Sequence, residues 1–129
     1  MSLVDVNLSP IEKMNQLALL FKITINELIL ISPKEICVLV GKKDSLPQMT
    51  AVKALLESPA GTKVPEKVKL IMTIVFSLSS INHEGGLFLW NYYFLPGEEG
   101  SSYVYTKSKN SFYRIRNQAI AEFLEVLGA

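Results

Sequence analysis

Few residues in this chain are of the types that do chemistry. There is one cysteine, Cys37, and one histidine, His83. A structural zinc site needs four nitrogen or sulfur ligands, and a reactive cysteine needs an electropositive, partly exposed setting. Cys37 lies in the apolar run Ile36-Cys37-Val38-Leu39-Val40, which predicts an inert, buried thiol. His83 stands beside Glu84 and the glycines Gly85 and Gly86, and reads as a solvated loop residue. Glu98 and Glu99 are adjacent carboxylates at a turn, Pro96 to Gly100, where both should be hydrated. Acid–base catalysis needs two groups whose environments push their pKa values apart, and nothing near this pair does so. The run from Val40 to Ser45 lacks the glycine register that lets backbone amides wrap a phosphate. Lys42 and Lys43 therefore read as a solvated turn. No catalytic residue, metal or cofactor is expected, and the chain reads as a non-enzyme.

A second constellation is better populated. Nine of the twelve aromatic residues fall between Gly85 and Arg116: Phe88, Trp90, Tyr92, Tyr93, Phe94, Tyr103, Tyr105, Phe112 and Tyr113. Four basic residues and no acid lie between Gly100 and Ala121, namely Lys107, Lys109, Arg114 and Arg116. Single-stranded nucleic acid is held by aromatic faces that stack on bases and by cations that follow phosphates. In a strand, Tyr103 and Tyr105 would share one face, with these cations close behind. The competing reading is a pair of tyrosines capping the core beside an ordinary wet face.

These residues need elements to position them. Three segments carry a hydroxyl residue three positions before a Glu: Ser9 and Glu12, Thr24 and Glu27, Ser32 and Glu35. That is the capping box of a helix start, and Pro10 and Pro33 reinforce two of the three. A helix over 10–21 follows, with Ile11, Met14, Leu17, Ala18 and Phe21 on one stripe. The middle box closes a short turn. Residues 36–40 are β-branched and stop at Gly41, which favours a strand, although the cap before them leaves a helix open. Asp44 or Ser45 caps a helix with Pro47 in its first turn and a stripe of Leu46, Met49, Val52 and Leu56. Pro65 starts the central helix, which runs to about Ser80 and is apolar on nearly all sides. Such a helix is buried in a core or at a subunit contact, with Ile74 on the side left for a partner. Aromatic runs over 87–95 and 101–106, bracketing Pro96 to Gly100, spell an antiparallel hairpin. A last helix lies within 111–127, before Gly128.

The expected fold is therefore α+β: a helix-rich single domain over 1–129 with a small antiparallel aromatic β-hairpin. Its element order resembles that of a winged helix-turn-helix. The likeness is one of order and rests on no sequence signature. Against DNA reading, the recognition helix would be 65–80, whose outer face is largely apolar, and Glu98 and Glu99 would repel phosphate from the wing.

The chain has 129 residues, 49% of them hydrophobic and 19% charged, with a net charge of +1. Charge this close to zero argues against strong non-specific binding to nucleic acid over the whole surface. One cysteine excludes an internal disulfide and fits a reducing compartment. The N-terminus has no basic segment leading into an apolar one, so no signal peptide is read there. Leu70 to Ile81 is too short to span a bilayer, so no membrane role and a cytoplasmic location are expected. High apolar content in a small globule leaves apolar surface outside, where it marks association sites. The expected function is a non-catalytic interaction or assembly protein, a homo-oligomer or complex subunit. Its contact would draw on Phe88, Trp90, Tyr92, Phe94 and Ile74. The alternative is a small nucleic-acid-binding regulator using Lys107, Lys109, Arg114, Arg116, Tyr103 and Tyr105.

Overall fold

The computed structural model describes residues 7–41, 45–95 and 109–129, and every element among them is helical. Seven α-helices occur in these residues: α1 (Pro10–Ile29), α2 (Pro33–Val40), α3 (Met49–Glu57), α4 (Pro59–Lys63), α5 (Pro65–Ser80), α6 (His83–Leu89) and α7 (Lys109–Leu127). One π-helical turn, Trp90–Phe94, continues α6. The α+β expectation is overturned, and the winged-helix likeness with it. The hairpin's first strand, 87–95, is helix and π-turn, while its second, 101–106, lies outside the described residues.

Physical causes for the helical outcome can be read locally. Asn82 caps α6 by accepting from the backbone N–H groups of Glu84 and Gly85, at 3.0 and 3.3 Å. Phe88, Leu89, Trp90, Tyr93 and Phe94 are all buried, and Tyr92 alone of the run stands out. Strand propensity of aromatics expresses how well they fit a half-buried surface. Here nearly every direction is buried, so packing decides. The π-turn closes with Leu95 N–H donating to Trp90 C=O at 2.7 Å. At the change of pitch the Asn91 side chain donates to Leu87 C=O, also at 2.7 Å. Its buried Oδ1 has no hydrogen-bond partner among the described residues. Gly86 lets α6 lie against α5: a Cβ there would stand 2.5 Å from Leu78 C=O.

Two further expectations are corrected. Residues 33–40 form a helix, because Ile36 and Leu39, three apart, are the pair that reaches the core. A strand would have put Ile36, Val38 and Val40 on one face, yet Val38 is 70% exposed. Cys37 is consequently exposed rather than buried. The Thr24 box caps nothing. Thr24 is buried inside α1 and its hydroxyl donates back to Leu20 C=O at 2.7 Å, so the helix runs on to Ile29. Ser9, by contrast, caps as expected, accepting from Glu12 N–H at 3.2 Å.

One cluster of apolar side chains joins these helices. Phe21 meets Trp90 and Phe94 edge-on, with ring centroids 5.8 and 5.3 Å apart, and Phe94 meets Phe123 of α7 at 5.8 Å. Edge-to-face pairs add about 0.5–1.5 kcal/mol each beyond area burial. A polar thread fastens the α1–α2 junction to the α3–α4 junction: the hydroxyls of Ser32 and Ser58 lie 2.8 Å apart, both buried.

Candidate interaction surface

Helix α1 buries Met14, Leu17, Ala18, Phe21, Thr24, Ile25 and Leu28. At 3.6 residues per turn, the line directly opposite that face runs through Leu19, Ile23, Asn26 and Leu30, spaced by four, three and four. Solvent-facing helix lines are ordinarily polar, but here Leu19 is 60% exposed, Ile23 47% and Leu30 85%. Leu30 sits at the C-cap in helical conformation, so the line continues through it. It spans about 16 Å at 1.5 Å per residue. Towards the N-terminus it turns polar, through the exposed Gln16 and Glu12.

Each flank of the line carries one charge. Lys22 is exposed on one side, at the rim of an open hollow of 430 Å³ lined by Asn15, Ala18, Leu19, Lys22, Tyr92 and Tyr93. Glu27 lies on the other side and forms an ion pair with Lys67 of α5. Both partners are more than a third exposed, so the pair orients the two helices and adds little stability. Tyr92, on the wall of the hollow, adds apolar surface at 42% exposure. Beneath it Tyr93 is buried. Its phenol is held above the usual tyrosine range, by burial first and by neighbouring Tyr92 second, with Arg116 opposing.

Of the five residues read from the sequence as a partner face, Tyr92 is at the surface. Phe88, Trp90, Phe94 and Ile74 are fully buried. The four belong to the core of the chain itself, and Phe76 is the outward apolar residue of α5. A helix ending at residue 21 separates Leu19 from Ile23 and Leu30, so their common line does not show. Reading 10–29 as one helix places all three on one line, so the signal was present in the spacing.

The basic stretch is not gathered into a stripe among the described residues. Lys109 and Arg116, seven apart, share a face of α7, whereas Arg114 is two positions from Arg116, and residues two apart on a helix do not share a face. Arg116 lies over the Tyr113 ring at 4.9 Å and donates to the Asn117 side chain at 3.2 Å. Tyr103, Tyr105 and Lys107, like Lys42, Lys43, Asp44, Glu98 and Glu99, fall outside the described residues. His83 is exposed, in the first turn of α6 rather than in a loop. Among the described residues no three His, Cys, Asp or Glu side chains are grouped to hold a metal. No helix among them is long and apolar enough to cross a membrane. In comparison with known proteins, the chain matches no family model, no curated protein and no solved structure.

Proposed function

We propose that this chain is a non-catalytic interaction or assembly protein, a homo-oligomer or complex subunit whose contact is the outer line of α1. One observation carries the reading: Leu19, Ile23 and Leu30 stand exposed in register on a helix whose opposite face is fully committed to the core. Scattered surface leucines are ordinary, but aligned apolar residues on a rigid element form a contact face. Tyr92 adds an aromatic beside it, a residue type enriched where proteins meet. A free, exposed Cys37 is in keeping with a reducing, cytoplasmic setting.

The test is a double substitution, Leu19→Asp with Ile23→Asp. Both side chains face solvent in the isolated chain, so the melting temperature of the monomeric state should change little. Association measured by light scattering should be lost. Association that survives the double substitution unchanged would move the contact elsewhere and overturn the reading.

A further inference from the structure

The outer line of α1 has the spacing of a coiled-coil seam. Leu19, Ile23, Asn26 and Leu30 follow the four–three–four order of alternating d and a positions. Lys22 and Glu27 then occupy the g and e positions that flank such a seam. We propose that the occupant of this face is a second copy of the chain, its α1 packed in parallel against the first about a two-fold axis. This rests on the reading of the face as the contact surface and goes beyond it by naming partner and orientation.

Charge placement selects both. A parallel two-fold sets the Lys22 flank of one protomer against the Glu27 flank of the other, and a g residue meets the e′ residue five positions on. Lys22 and Glu27 are five positions apart. The partner's Lys22 thus reaches the same carboxylate that already holds Lys67, and the contact is made twice, once on each side of the axis. An antiparallel two-fold would instead set the Lys22 flank against itself and the Glu27 flank against itself. Asn26 meets its own copy at a d position of the seam, and burying that amide costs stability. The seam is short. Four positions over about 16 Å cover less than the roughly 1,200 Å² of a standard stable interface. The dimer is therefore a dissociable one, with the hollow beside Tyr92 enlarging the contact.

Cysteine cross-linking separates the outcomes. In a Cys37→Ser background, Leu19→Cys, Ile23→Cys and Leu30→Cys are made singly and oxidised under mild conditions. Parallel pairing brings each position to its own copy, so all three should give disulfide-linked dimers. Antiparallel pairing sets residue 19 against residue 30 and residue 23 against residue 26, so no single variant is linked while Leu19→Cys with Leu30→Cys together is. That result overturns this inference while leaving α1 as the contact. Lys22→Glu should raise the dissociation constant at least tenfold, and adding Glu27→Lys together with Lys67→Glu, which keeps the pair within the chain, should recover most of the loss. A mass that stays monomeric throughout, or a dimer indifferent to Leu19→Asp with Ile23→Asp, overturns the inference as well. The second of these overturns the underlying reading too.

Discussion

Removing one hydroxyl, with Ser32→Ala, tests the packing of the fold at a point where the cost can be worked out. The Ser58 hydroxyl donates to Leu55 C=O at 2.5 Å, which uses its only hydrogen. The 2.8 Å contact between the two hydroxyls is therefore donated by Ser32 and accepted by Ser58. Ser32 Oγ in turn accepts from Ala60 N–H at 3.0 Å. The relay runs from Ala60 N–H through Ser32 and Ser58 to Leu55 C=O, in a place from which water is excluded. Ser32→Ala leaves the Ala60 N–H unpaired and takes the donor from Ser58, and a buried polar group left without its partner costs about 1–3 kcal/mol. At an unfolding entropy of about 2.1 cal/mol/K per residue, a chain of 129 residues loses roughly 4 °C per kcal/mol. The expected fall in melting temperature by calorimetry or circular dichroism is about 4–11 °C. Ser58→Ala should cost less, because Leu55 C=O keeps the Ser58 backbone N–H at 3.1 Å. The double variant should show a coupling of about 0.5 kcal/mol or more. A Ser32→Ala protein melting with the wild type, or two strictly additive losses, would refute the relay.

Three other outcomes follow from particular side chains. Ile74→Asp places an unpaired carboxylate at a fully buried site, so it should destabilise by more than about 4 kcal/mol and unfold the chain rather than dissociate an assembly; a variant melting near the wild type would contradict the burial. Burial raises the Tyr93 pKa above its unfolded value, so its contribution is intact below the unfolded value of about 10 and is lost as pH rises towards the folded one. Tyr93→Phe should accordingly lose less melting temperature than wild type on going from about pH 9 to pH 11, and equal losses would remove Tyr93 as the cause. With Lys109 and Arg116 on one face of α7 and Arg114 off it, binding of short oligonucleotides should be undetectable at physiological salt; a salt-sensitive submicromolar affinity would reverse this.

The cap at Ser9, the start of α5 at Pro65 and the last helix with its terminal Gly128 were legible, because caps, prolines and three–four spacing are local signals. Two kinds of element were not. Residues 36–40 and the aromatic run are short and apolar, and their backbone state was set by which side chains the rest of the chain could bury. Ile36 and Leu39 found the core while Val38 did not. Phe88, Trp90 and Phe94 alternate in sequence like a strand, yet the π-turn brings Trp90 and Phe94 together onto Phe21. Thr24 looked like a cap because its hydroxyl can serve either the next turn or the one before, and burial chose the latter. Taken as a cap, Thr24 ends α1 short of Ile29 and breaks the line of Leu19, Ile23 and Leu30. Ile74 shows the reverse case. An all-round apolar helix offers a side to a partner on its sequence alone, but the chain's own helices cover Ile74 and leave Phe76 as the apolar residue outside.

Sedimentation equilibrium of the wild-type chain across the micromolar range tests the central claim most directly. The account predicts an average mass that climbs with concentration from the 14.4 kDa of one chain towards twice that value. The same series for Leu19→Asp with Ile23→Asp should stay at the mass of one chain throughout. A wild type that also stays monomeric to submillimolar concentration would contradict self-association through α1.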